Sequence, residues 1–152
     1  MSISGYRDYA PHYLSGGEKK RVSIADILAM RPEVILFDEP TASLDPKNTD
    51  ALEDILDELG NAGITIIIST HDVDFAYRTT QRAVVFEHGK IIADADIDEV
   101  FASDNTLETA GLKKPLLFEA FEHLSNSYPD IIIPNRKKPR TIEEFKAYLN
   151  FS

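Results

Sequence analysis

Val34-Ile35-Leu36-Phe37 is an unbroken apolar run that passes directly into Asp38-Glu39-Pro40. A run that short cannot make a helix, and without polar alternation it suits a strand buried on both faces. Ile64-Thr65-Ile66-Ile67-Ile68-Ser69 is a second such stretch, rich in β-branched residues. Between them Asp45-Pro46 opens a helix, with proline in the first turn, where its missing N–H has no partner to lose. Leu52, Ile55, Leu56 and Leu59 keep the i, i+3, i+4, i+7 spacing of one helical face, and Gly60 and Gly63 end it. Strand, helix, strand at this spacing predicts parallel pairing, because a parallel neighbour is reached only by a crossover.

The remaining elements extend that plan. Ser15-x-x-Glu18 has the form of a capping box and predicts a helix to about Met30, with Val22, Ala25, Leu28 and Ala29 on one face. Arg31-Pro32 stops it, since proline disfavours helix in the residue before it. Downstream, a short helix over 73–79 leads to a strand at Ala83–Phe86. Glu87-His88-Gly89-Lys90 then reads as a hairpin turn into Ile91-Ile92-Ala93. The sum is an α/β fold with a parallel centre and an antiparallel edge.

A helix over 96–102 follows, and the composition shifts after Ser103-Asp104-Asn105. Leu117, Phe118, Phe121 and Leu124 mark a helix over 115–124. The segment 128–140 carries Pro129, Pro134 and Pro139 and the basic run Arg136-Lys137-Lys138. Thr141-x-x-Glu144 is another capping box, opening a last helix with Phe145, Tyr148 and Leu149. Residues 1–103 are expected as one domain and residues 104–152 as a small appended one.

Composition narrows the partners. A chain of 152 residues with 43% hydrophobic and 28% charged residues has the profile of a globular protein with a real core. Its 16 Lys and Arg against 26 Asp and Glu give a net charge of −10. That argues against nucleic acid, which wants a basic face, and against direct binding of anionic lipid. Cysteine is absent, so there is no disulfide framework or thiolate site. No apolar run reaches the roughly 18–20 residues that span a bilayer, so a membrane role would go through a partner.

Three stretches carry possible chemistry. Asp38 and Glu39 close a buried strand, and ligands of open α/β sheets collect at such carboxyl ends; a single acid there would be a turn or cap. Leu14-Ser15-Gly16-Gly17-Glu18 is at least a capped helix start. Its glycine pair also allows close backbone approach, and a helix N-terminus suits a phosphate. His71 ends the second strand run, where a lone histidine is commonly structural. His71-Asp72 could suggest a metal-dependent phosphohydrolase, but no second histidine–acid set supports it. His12, His88 and His123 have no partners at metal-ligand spacing.

Taken in order, Leu14–Glu18, Val34–Pro40, Ser43-Leu44-Asp45 and His71 resemble the second half of an ATP-binding cassette ATPase. The resemblance implies a partial P-loop NTPase-like fold, a parallel sheet with flanking helices, plus a small C-terminal extension. It makes Leu14–Glu18 the signature motif, with Ser15, Gly16, Gly17 and Glu18 reaching across a dimer to a γ-phosphate held by the other subunit. Glu18 stands where the motif is usually written with Gln, and Lys19, Lys20 and Arg21 are close enough to offset its charge. Val34–Asp38 resembles a Walker B strand. Asp38 would serve the Mg²⁺ shell, and Glu39 would orient or deprotonate the attacking water. Asp45 belongs to the D-loop that touches the partner subunit, and His71 to the switch that contacts the γ-phosphate. The implied cofactors are ATP and Mg²⁺.

The phosphate loop of the family, G-x-x-x-x-G-K-[ST], has no counterpart among Gly5, Gly16, Gly17, Gly60, Gly63, Gly89 and Gly111. Gly89-Lys90 is followed by Ile91 and has Val84 where the first glycine should stand. The chain is therefore expected to begin in mid-domain and to be inactive in ATP hydrolysis alone. A sheet lacking its other strands is expected to self-associate.

Ala42-Ser43 resembles transporter ATPases rather than translation factors, which place Asn-His there, and there is no room for the heptad arms of DNA-repair relatives. Ala29–Glu33 and Leu107–Leu149 are similar to cobalt/nickel importer and energy-coupling-factor vitamin importer ATPases. That branch implies a subunit at the cytoplasmic face of the membrane, paired with a second ATPase and docked on a membrane transporter subunit. It also implies a C-terminal extension that helps hold the ATPase pair together. The alternative is a non-catalytic module that completes the ATP site of a full-length partner ATPase.

Overall fold

A computed structural model describes residues 13, 22, 25–26, 29–128 and 137–149, in two compact units, Met1–His71 and Asp72–Ser152. In the first unit β1 (Val34–Asp38) pairs in parallel with β2 (Thr65–Ser69), in register from Val34 opposite Thr65 to Asp38 opposite Ser69. The crossover is helix α1 (Pro46–Asn61), with Pro46 in its first turn and Asp45 as its N-cap. Leu52, Ile55, Leu56 and Leu59 are its buried face, and the helix packs along β2. Ahead of β1, Val22, Ala25 and Ala29 are helical. Arg31, at φ 51°, takes the left-handed conformation that commonly ends a helix.

One expectation for this sheet changes. The continuous apolar run of β1 suggested burial on both faces, yet the strand alternates: Ile35 and Phe37 are buried, while Val34 is 54% and Leu36 68% exposed. Ile67, opposite Leu36, is 52% exposed. Among the described residues only one face of the pair is covered, so side-chain alternation sends every second apolar residue outward.

The second unit begins with α2 (Val73–Thr79), capped by Asp72, whose side chain accepts from the Phe75 N–H at 2.9 Å. The hairpin of β3 (Arg82–Glu87) and β4 (Lys90–Asp96) is antiparallel, with a bulge at Val85/Phe86. His88 and Gly89 both have positive φ, 47° and 74°, as a tight two-residue hairpin turn demands. Among the described residues α3 (Ile97–Ala102), α4 (Asp104–Ala110), α5 (Leu116–Ser127) and α6 (Ile142–Leu149) follow.

Tyr77, Ile97, Phe101, Leu107 and Phe118 form the core of this unit. Tyr77 meets Phe101 and Phe118 edge-on, with centroids 6.0 and 5.5 Å away. The two compact units divide at His71/Asp72. Leu107 and Phe118 complete the same core as Tyr77 and Ile97. The last helix is tied in as well, Phe121 packing edge-on against Phe145 and Tyr148.

Candidate functional site

The carboxyl ends of β1 and β2 stop flush, and the ladder adds one further rung: the Glu39 N–H donates to the Ser69 carbonyl at 2.8 Å. There the chain turns sharply. Glu39 has φ 43°, a left-handed conformation that costs a side-chain-bearing residue about 1–2 kcal/mol. Pro40 behind it is fully buried, and the Ala42 N–H returns to the Glu39 carbonyl at 3.1 Å. Ser43, at φ 63°, and the bond from the Leu44 N–H to the Thr41 carbonyl at 3.0 Å make a second tight turn before α1.

The two acids meet three side chains from the end of β2. Ser69 Oγ donates to Asp38 Oδ1 at 2.9 Å, and Thr70 Oγ1 donates to Glu39 Oε2 at 3.3 Å. His71 Nδ1 lies 2.7 Å from Glu39 Oε1. An ionised carboxylate only accepts, so this contact selects the imidazole form with its proton on Nδ1. The imidazole is otherwise largely exposed and Glu39 is half-buried, so the pair sits at the surface of the sheet end.

Asp38, Glu39 and His71 are thus brought together as one cluster. Asp45 has a different place, the start of α1, where Oδ1 accepts from the Asn48 N–H at 2.8 Å and Oδ2 from Asn48 Nδ2 at 2.9 Å. Ser15, Gly16, Gly17 and Glu18 lie outside the described residues. Ser69 and Thr70 are the polar members that the sequence reading passed over; their signal was two hydroxyls immediately before a histidine at a strand end.

Among the described residues no three His, Cys, Asp or Glu side chains converge as a metal cage. Asp38 offers hard carboxylate oxygen, and among the described residues Ser69 engages its Oδ1. That donor set does fit Mg²⁺, which typically takes one or two carboxylates and fills its octahedron with phosphate and water.

The family model described as "AAA domain, putative AbiEii toxin, Type IV TA system" matches residues 5–75. Two curated relatives are an energy-coupling factor transporter ATP-binding protein, EcfA2, of Methanospirillum hungatei and a putative ABC transporter ATP-binding protein of Methanothermobacter marburgensis. The first is 46% identical over 126 residues, 83% of this chain and 32% of that protein. The second is 42% identical over 149 residues, 98% of this chain and 53% of that protein. Among solved structures, cbiO1 of Clostridium perfringens, part of the ABC transporter complex cbiONQ, superposes with a TM-score of 0.63 at 35% identity. The match covers 85% of this chain and 46% of that one.

The chain belongs to the ATP-binding cassette transporter ATPases. Within that family its relatives include the energy-coupling-factor and cbiO proteins, and it spans about a third to a half of their length.

Proposed function

We propose that this chain supplies the acid pair, switch histidine and signature motif of an ATP-hydrolysing importer subunit, and that a phosphate loop outside this sequence completes the site. The observation that carries the reading is the Asp38–Glu39 pair at the end of β1, held by Ser69, Thr70 and His71 of the neighbouring strand. In this reading Glu39 orients the attacking water and accepts its proton, a role that requires an acceptor on a fixed bearing. Asp38 contributes carboxylate oxygen to Mg²⁺, which when bound neutralises charge on the phosphates. His71 contacts the γ-phosphate.

Ser15, Gly16, Gly17 and Glu18 are assigned to the signature that reaches a nucleotide on a second ATPase, and Asp45 to the loop that meets that subunit. The energised process is import of cobalt or nickel ions or of vitamins through a membrane subunit, with this chain peripheral on the cytoplasmic side. Among the described residues no helix is long and apolar enough to cross a membrane. Residues 104–152 are assigned to an accessory, dimer-holding segment, on the strength of apolar side chains left outward at Leu116, Tyr128 and Ile142.

The test is hydrolysis by the chain mixed with a polypeptide carrying the phosphate-loop half of a cassette. Activity is expected only in the mixture and should vanish with Glu39→Gln. Hydrolysis that survives Glu39→Gln would remove Glu39 from its role.

A second reading, a binding module that completes a full-length partner's site while its own Glu39 stays idle, is favoured by one observation. No phosphate-loop pattern exists anywhere in the sequence. Copurification with a full-length ATPase, weakened by changing Gly16 or Asp45, supports it; failure to bind any cognate ATPase removes it.

A further inference from the structure

The two hydroxyls at the end of β2 each meet a different acid. The register that sets Ser69 opposite Asp38, extended by the rung from the Glu39 N–H to the Ser69 carbonyl, brings Thr70 beside Glu39 at the next step. Three consecutive residues, Ser69, Thr70 and His71, thereby engage three of the four oxygens of two consecutive acids: Oδ1 of Asp38, then Oε2 and Oε1 of Glu39. A glutamate side chain has three rotatable torsions, and an exposed one samples many orientations. A hydroxyl 3.3 Å from Oε2 restricts that freedom and favours a bearing of Oε1 toward the imidazole.

We propose that Thr70 is a positioning residue: its hydroxyl orients the Glu39 carboxylate so that Glu39 in turn holds His71 with its proton on Nδ1. Ser69 acts in parallel on Asp38, occupying Oδ1. Thr70 touches neither nucleotide nor water in this account and works through Glu39. Its value for hydrolysis rests on the reading of Glu39 as the base; the orienting role itself rests on the hydrogen bonds alone.

The experiment is ¹⁵N NMR of the His71 ring in the full chain at about pH 9, above the ordinary imidazole pKa of about 6.5. Wild type, Thr70→Val and Thr70→Ser are compared. Val keeps the shape of Thr without its hydroxyl, and an unchanged backbone amide spectrum certifies the fold. In wild type Nδ1 is expected to resonate as the protonated nitrogen. Thr70→Val should shift the ring toward the Nε2–H form, and Thr70→Ser should restore it. A wild-type ring already in the Nε2–H form, an unchanged tautomer in Thr70→Val, or a serine variant that behaves like valine would each overturn the proposal.

In the reconstituted mixture Thr70→Val should lower kcat about three- to fivefold at unchanged KM, the loss of one long hydroxyl–carboxylate hydrogen bond. A tautomer shift without any loss of kcat would instead leave Thr70's role standing and count against Glu39 as the base.

Discussion

Glu39 carries its carboxylate on a left-handed residue, and that backbone choice explains how two adjacent acids serve different partners. Asp38 still belongs to the strand and faces Ser69, whereas Glu39 has left the strand direction and meets Thr70 and His71. Tyr77 is the opposite kind of residue, ionisable yet sealed in a core, its hydroxyl without a hydrogen-bond partner among the described residues. Burial, and next the nearby Asp98 charge, push its phenol well above the ordinary value of 10.0. A raised folded-state pKa means that the folded state keeps its proton after the unfolded chain has lost it. The contribution of Tyr77 to stability is therefore complete below pH 10.0 and falls as pH rises beyond it. Tyr77→Phe should flatten stability above pH 10 and leave it within about 1 kcal/mol of wild type at pH 7, since it removes at most one hydroxyl hydrogen bond. Urea denaturation at pH 7 and pH 11 checks both. At this scale the sequence marked the acids and His71 by residue type and position. It left Ser69 and Thr70 unmarked, because two hydroxyls before a histidine are a faint signal until the register shows which acid each one meets.

Among the elements, those with a strong local period were legible and those held by distant contacts were not. Helix α1 followed from Leu52, Ile55, Leu56 and Leu59 together with its Asp45-Pro46 start. Leu56 is buried, and Leu56→Ala should cost about 2–5 kcal/mol by the cavity it leaves, read as a shift in denaturation midpoint. Helix α4 went unread: only Leu107 is buried in it, although Ser103 caps its start and Gly111, at φ 64°, its end. The C-terminal segment also owes its place to a non-local anchor, Arg140, which is 8% exposed. Its guanidinium donates to the carbonyls of Tyr77, at 3.2 Å, and Thr80, and lies 3.4 Å from Asp98 Oδ1. These carbonyls close the end of α2, where a cation also suits the helix dipole. Arg140→Ala should destabilise by about 2–3 kcal/mol, because Asp98 and those acceptors lose their donor. The Thr141-x-x-Glu144 box was read correctly in kind. The Glu144 N–H donates to Thr141 Oγ1 at 3.1 Å, while the Glu144 carboxylate takes the Arg140 N–H at 2.6 Å, one residue earlier than the usual box partner.

For the molecule as a whole, the outward apolar row of Val34, Leu36 and Ile67 carries the most weight. Parallel sheets are normally covered on both faces, and here one face of β1 and β2 is open among the described residues. The chain is accordingly expected to self-associate at high concentration, and Leu36→Glu should reduce this without unfolding it; sedimentation velocity across a concentration series reads the effect. A wild-type chain that stays monomeric throughout would contradict that expectation. The central claim, that this chain holds the acids and histidine of a nucleotide site and lacks its phosphate cradle, is tested most directly by calorimetric titration with Mg-ATP. The chain alone should show no binding. Its mixture with a phosphate-loop half should bind, and Asp38→Asn should weaken that binding. Tight binding to the chain alone, lost in Asp38→Asn, would contradict the account, because the chain would then build a phosphate pocket of its own.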